Sequence, residues 1–424
     1  MNTLMEIFLN KKKLNELIEE SKTFCILPWI HLHVMPDSSV IPCCVSPYDD
    51  HYGDGKEQVV AEIWNSEKYK QLRLNMLNNI ASKGCARCYK LENSGFISMR
   101  NSFNLLFKDH VEKVNKTNPD GSLGTIDLKY IDIRFSNLCN FKCRGCSPAL
   151  SSSWYDDHQA LLGFESTEPK VRSVSVSSPN FWNELKSMTP YAEEIYFGGG
   201  EPLITKEHYE ILRYLDSLGR FNIRLGYNTN LSTLSYGTVD LAEMWAKFDN
   251  VRIGISIDDL GPRAEYFRHG TKWEVIERNI IKLRDNYSNL SLYVNCTVNI
   301  MNVYYLPDLY DHLTENKIIG PEAFNLNLLL DPAELTVQVL PKNMKVKVAN
   351  RLRAHINKLS AKGNLYLKAI VDINNLISFM DEKDKSGLMP IFQKNTLKLD
   401  KLRNEDFLKT YPELSELLTL VPGN

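Results

Sequence analysis

The chain has 424 residues, enough for two or three domains with a sizeable core, and carries a net charge of −2. That near-balance gives no global electrostatic case for nucleic acid or a membrane surface as partner. Nine cysteines at short spacings point to metal binding in a reducing compartment rather than to disulfides. No apolar run is long enough to span a bilayer, so the expected location is the cytoplasm.

The first pattern is an amphipathic helix from about Leu4 to Glu20 that contains Lys11-Lys-Lys13 and lacks a signal-type apolar core. Then come Cys25 in Phe24-Cys-Ile-Leu-Pro-Trp29, Cys43 and Cys44 in Val40-Ile-Pro-Cys-Cys44, and Cys85 and Cys88 in Gly84-Cys-Ala-Arg-Cys-Tyr89. Two thiolates from separate strands or turns plus a C-x2-C knuckle make a closed four-ligand site, suited to structural zinc or to a [4Fe–4S] cluster. His31 and His33 alternate on one strand face and read as shielding that site. Glu62–Arg73 reads as a capped amphipathic helix with Asn65 or Ser66 as a start. Lys108–Gly124, polar and containing Asn-Pro-Asp-Gly, reads as a connector.

The alternating β-rich run Ile131-Asp-Ile-Arg-Phe135 leads into Ser136-Asn-Leu-Cys-Asn-Phe-Lys-Cys-Arg-Gly-Cys-Ser-Pro148. Cys139, Cys143 and Cys146 are thus spaced C-x3-C-x2-C at the end of a strand. Three thiolates are one short of closing a cubane, and an open metal position marks a catalytic centre. One helix-length later the apolar strand Glu194–Phe197 ends in Gly198-Gly-Gly-Glu-Pro202, where glycines let the backbone approach a ligand closely. The cysteine loop resembles that of the radical S-adenosylmethionine (SAM) superfamily, and Gly198, Gly199, Gly200, Glu201 and Pro202 resemble its "GGEP" segment. The resemblance implies a [4Fe–4S] cluster whose open iron takes the methionine end of SAM, with the glycine segment holding its amino group. It also implies a flavodoxin- or ferredoxin-type reductant and hydrogen abstraction from a substrate by a 5′-deoxyadenosyl radical.

Beside that loop, residues 1–107 are similar to a twitch domain, the shortened relative of SPASM domains, here preceding the barrel. This implies one auxiliary [4Fe–4S] cluster on Cys25, Cys43, Cys85 and Cys88. Cys43 is preferred to Cys44 because Asp37-Ser-Ser-Val-Ile-Pro-Cys43 resembles the turn before the second SPASM ligand, with serine where glycine is usual. A fully ligated auxiliary cluster points toward electron acceptance and a net oxidation or bond-forming step.

From about Leu128 strand and helix alternate, with strands expected at 128–135, 194–198, 222–227, 251–257, 291–298 and 323–329. Six repeats with apolar strands imply a parallel sheet, and the superfamily's architecture is a partial (β/α)6 TIM-type barrel. The fold class is therefore α/β, with a small N-terminal α+β iron–sulfur domain (1–107), a linker (108–126), the barrel (127–340) and a C-terminal helical cap (341–424) that ends in a charged tail. By resemblance to SPASM-type relatives, Ser256, Asp258 and Arg268 are contacts to the SAM carboxylate or ribose; Asn295, on the fifth strand, reads either as a hydrogen-bonding contact to SAM or substrate or as a strand cap. Gly145 stands where many relatives carry an aromatic residue against the adenine, so another apolar wall is required. Cys296 reads as core packing or as a hydrogen-atom donor, and Cys44 as packing or a thiol near substrate. The substrate classes left open are a peptide side chain, a small metabolite or a nucleotide, with a polynucleotide last. The competing class is a non-catalytic scaffold with zinc in both cysteine sites.

Overall fold

The computed structural model describes residues 11–162 and 169–419. The first part of the expected N-terminal helix lies outside them, and the helix runs over Lys11–Glu19. The chain divides into two compact units that interleave along the sequence. One comprises Met1–Ser136, Arg172–Gly199 and Thr205–Leu225, and the other Asn137–Val171, Gly200–Ile204 and Gly226–Asn424.

The first unit is built on β1 (His31–Val34), β2 (Ser39–Ile41), β3 (Gly53–Asp54), β4 (Tyr130–Ile133) and β5 (Glu194–Phe197). β1, β2 and β3 form an antiparallel meander, while β4 pairs in parallel with both β1 and β5. The N-terminal segment thereby adds a parallel strand beside the first barrel strand, a pairing that a linear domain division does not foresee. Alternation sorts β4 cleanly. Ile131 and Ile133 are fully buried on one face, and Tyr130 and Asp132 stand on the other, aligned with His31 and His33 of β1. In the β1–β2 turn, Ser38 occupies the left-handed region (φ 73°) where a glycine was expected. Asp37 steadies it, its Oδ1 accepting from the Ser39 N–H (3.1 Å) and hydroxyl (2.7 Å). The helix expected over 62–73 is broken into Val60–Trp64 and Glu67–Leu77, and Ser66 caps the second by accepting from Tyr69 N–H. The expected connector is largely a 3-10 helix, Lys108–Lys116.

β6 (Arg224–Thr229) is followed by a small hairpin of β7 (Ser235–Tyr236) and β8 (Val239–Asp240). In the second unit β9 (Val251–Ser256), β10 (Leu290–Val298) and β11 (Phe324–Leu328) pair in parallel, each within a residue or two of its expected span. Helices Trp273–Asn286 and Leu306–Glu315 supply the crossovers. The strand–helix repeats give the α/β, partial TIM-type fold. Helices Lys342–Ser360 and Leu367–Glu382 begin the C-terminal part. The charged tail expected after them is instead a packed helix, Met389–Arg403, whose Met389, Phe392 and Leu399 are buried. Its apolar positions are sparse among charges, which hid the pattern. Among the described residues no helix is long and apolar enough to cross a membrane.

Candidate active site and auxiliary cysteine site

The three-cysteine loop leaves the C-terminal end of β4 and is held from several sides. Ser152 Oγ accepts from Cys139 N–H (3.3 Å), Ser153 Oγ donates to the Cys139 carbonyl (2.7 Å), and Trp154 Nε1 donates to the Cys143 carbonyl (2.5 Å). The segment after helix Gly261–Phe267 runs alongside, with Lys142 N–H bonded to the His269 carbonyl and Arg144 N–H to that of Phe267. Cys139, Cys143 and Cys146 are all free thiols at intermediate exposure, and Cys139 lies in the electrostatic field of both others and of Glu201. Burial pushes the Cys139 and Cys143 thiols up, and the Arg268 charge opposes this at Cys143.

The glycine segment is shaped by close approach. Gly199 has φ +110°, and a Cβ on Gly200 would lie 2.2 Å from the Leu138 carbonyl oxygen, so no side chain fits there. Glu201 N–H donates to that carbonyl (2.8 Å), tying the segment to the cysteine loop. The Glu201 carboxylate is buried and accepts from Thr229 Oγ1 (2.6 Å), Asn230 N–H (2.7 Å) and Leu203 N–H (3.1 Å). Burial pushes it up to about 7 against those hydrogen bonds. Its side chain thus braces the Gly200–Ile204 turn against the end of β6, while Pro202 opens a short 3-10 turn.

Asp258 and Arg268 form a buried pair, Nε to Oδ2 at 2.7 Å, and Asp258 Oδ1 also accepts from Thr297 N–H (2.7 Å). Arg268 Nη1 reaches Cys143 Sγ at 3.8 Å. Asp258 therefore aims Arg268 at the loop. Ser256 is half-buried at the end of β9, in register with Asn295. Asn295 joins a row of carboxamides, donating to Asn228 (2.6 Å) and accepting from Asn325 (3.3 Å). Cys296 is fully buried, its thiol against the Asp258 carbonyl and Asn302 (3.9 Å each). The wall needed near Gly145 is present: a Cβ there would meet Phe267 at 3.3 Å and Leu329 at 3.4 Å.

The structure brings Cys25, Cys43, Cys85 and Cys88 together, each of the other three contributing to the field that, with burial, raises the Cys25 thiol. Burial, with Cys43 and Cys88, pushes Cys85 up to about 12. Ser46 links the turn to the knuckle, its Oγ 3.6 Å from Cys43 Sγ and donating to the Gly84 carbonyl (3.1 Å). Burial raises the Cys44 thiol well above its ordinary value, with Cys43, Asp132 and Cys88 adding to the rise and Arg134 opposing it. His31 Nδ1 bonds the Tyr130 carbonyl (3.0 Å) and His33 Nδ1 lies 3.0 Å from Asp132 Oδ2, both on β4. Two residues that spacing could not reveal, Arg100 and Asn104, hold the Cys25 segment: both donate to the Phe24 carbonyl, and Arg100 also grips Glu92 on the Cys88 helix. Among the described residues no three His, Cys, Asp or Glu side chains converge on one metal ion. A cubane does not require that, since each of its ligands binds a different iron. Three and four clustered free thiols fit one open and one closed cluster in donor chemistry.

Residues 133–310 match the radical SAM superfamily, and residues 25–89 match the SPASM iron–sulfur cluster-binding domain. The chain thus carries a radical SAM domain and, before it, a SPASM-type iron–sulfur domain. Its cofactors are accordingly a [4Fe–4S] cluster that binds SAM and an auxiliary iron–sulfur cluster in the N-terminal domain. It is 26% identical over 155 residues to a GTP 3′,8-cyclase of Campylobacter lari, covering 37% of this chain and 40% of that one. It is 30% identical over 135 residues to that of Microcystis aeruginosa, covering 32% and 36%. The chain thus matches about two fifths of the length of these curated relatives. Similar solved structures include native anSMEcpe with bound AdoMet (TM-score 0.37, 17% identity, 54% of this chain and 59% of that one). Streptococcus suis SuiB bound to S-adenosylmethionine is another (TM-score 0.37, 14% identity, 69% and 62%).

Proposed function

We propose that this radical SAM enzyme abstracts a hydrogen atom from a peptide side chain or a small metabolite, with Cys139, Cys143 and Cys146 as ligands of the SAM cluster and Cys25, Cys43, Cys85 and Cys88 as ligands of one auxiliary [4Fe–4S] cluster. The observation that carries the reading is the joining of the three-thiol loop to the Gly198–Pro202 segment, through Glu201 N–H and the close packing of Gly200 on Leu138. When bound, the cluster and SAM would supply the electron transfer and the 5′-deoxyadenosyl radical, chemistry that belongs to the cofactors.

The chain's own residues bind and orient. Arg268, fixed by Asp258, lays positive charge beside Cys143 and is placed to favour a thiolate ligand there and a nearby carboxylate. Phe267 and Leu329 supply an apolar wall beside Gly145. The Asn228–Asn295–Asn325 row offers neutral donors and acceptors to SAM or substrate. GTP is the first metabolite to assay, because the two matched relatives are named for it, and peptides follow.

The test is anaerobic reconstitution with iron and sulfide, then incubation with SAM and reductant. Brown protein that forms 5′-deoxyadenosine supports the reading. Colourless protein holding stoichiometric zinc after the same treatment would instead favour the non-catalytic scaffold.

A further inference from the structure

The polar face of β1 and β4 carries a relay that the cluster and SAM contacts leave unused. Asp132 is fully buried, and its Oδ2 lies 3.0 Å from His33 Nδ1. On the other side of the ring, Arg134 Nε is 3.1 Å from His33 Nε2. An arginine Nε only donates, so His33 Nε2 must accept, and the ring's proton stands on Nδ1, facing the carboxylate. The in-register pairing His33↔Asp132 makes this arrangement rigid, because both side chains rise from neighbouring parallel strands. The result is a guanidinium clamped through its Nε alone.

The four N–H groups on the two Nη atoms of Arg134 form the remaining fork. Among the described residues no carboxylate lies within ion-pair distance of it, and Asp132, its strongest electrostatic neighbour, is separated from it by His33. The other groups in its field are the Tyr48 and Tyr196 phenols and the Cys44 thiol. Arg134 also borders the glycine segment: its Cβ is 3.2 Å from where a Cβ on Gly199 would stand, and its Cζ 4.0 Å from the same point on Gly198. A half-buried, pre-oriented fork of this kind matches a two-oxygen acceptor, and holding it in place beforehand lowers the ordering cost of binding.

We propose that Arg134, positioned by the Asp132–His33 relay, anchors an oxyanion of the substrate, a carboxylate or a phosphate group, beside the Gly198–Gly199 turn. This rests on the radical SAM reading for the meaning of that turn, but not for the binding event itself. His33 and Asp132 are positioning residues in it.

The experiment titrates the reconstituted full-length protein with inorganic phosphate, followed by 31P line broadening, and with 13C-labelled acetate, followed by 13C line broadening. Broadening by phosphate assigns a phosphorylated substrate, and by acetate a carboxylate substrate. Arg134→Gln should weaken the effective anion at least tenfold, and Arg134→Lys, which keeps charge without the fork, should fall between. Iron and sulfide content check that each variant is intact. If Arg134→Gln does not fold, phenylglyoxal labelling of the wild type with mass-spectrometric readout replaces it, and the effective anion should protect Arg134 from the adduct. Wild type that binds neither anion, binding unchanged within twofold in Arg134→Gln, or an Arg134 adduct insensitive to anion would each overturn the anchor. Protein that forms 5′-deoxyadenosine yet binds neither anion sinks the anchor alone. Protein that binds the anion through Arg134 but never cleaves SAM sinks the proposed function alone.

Discussion

Glu201 is a buried carboxylate held by one hydroxyl and two backbone N–H groups, and two different forces meet on it. Burial wins and lifts it to about 7, above the ordinary carboxylate value in an unfolded chain. The folded protein therefore keeps a proton that the unfolded chain releases, so the stability that protonation contributes is full below the unfolded value. It is lost as pH rises through about 7. Urea midpoints of the metal-free protein should fall between pH 5.5 and pH 8, and Glu201→Gln should remove that part of the slope. At pH 8 the Gln variant still loses about 1–3 kcal/mol of its own, because the amide can turn a donor toward a backbone N–H. Asp258→Asn is harsher. It leaves Arg268 buried without its partner, a cost of about 3–5 kcal/mol, and should lower iron retained on the cysteine loop during anaerobic gel filtration.

At the scale of elements, the helix Met389–Arg403 clasps the cysteine loop from a distant part of the chain. Arg144, between two loop cysteines, stacks on Tyr266 with Cζ 3.8 Å from the ring centre and pairs with Asp400 and Glu405 at 2.5 Å each. Arg403 pairs with Asp157 (2.8 Å) just beyond the loop. Asp400→Ala with Glu405→Ala should leave Arg144 uncompensated and make the loop cluster lose iron to a chelator several-fold faster, while the auxiliary site is unaffected. Equal loss rates in wild type and variant would show that the clasp does not hold the loop. The cysteine loop and the glycine segment were legible from sequence because ligand type and spacing are local properties. The six strands were legible because their apolar runs are dense. The clasp was not, since Arg144 and Asp400 lie 256 residues apart and neither carries a pattern. The relay from Asp132 to Arg134 was hidden for the same reason, as the β1–β4 pairing joins segments about a hundred residues apart. The choice of Cys43 over Cys44 rested on a turn whose glycine is absent, and the left-handed Ser38 explains how the turn survives that change.

For the molecule as a whole, the division into two units separates the two thiol sets, Cys25, Cys43, Cys85 and Cys88 lying in one and Cys139, Cys143 and Cys146 in the other. Cluster loss should therefore be separable. Replacing Cys85 and Cys88 by alanine should remove the auxiliary cluster's signal and, because metal binding is coupled to folding, lower the melting temperature of the N-terminal unit. Cys43→Ala should behave likewise, whereas Cys44→Ala should keep its iron. The most direct measurement compares wild type with the Cys139, Cys143, Cys146 triple alanine variant, by iron and sulfide analysis, electron paramagnetic resonance and 5′-deoxyadenosine formation. The wild type should hold about eight iron atoms in two four-iron clusters and cleave SAM, and the variant should keep about four and cleave none. A variant that retained all of its iron, or still formed 5′-deoxyadenosine, would contradict the account.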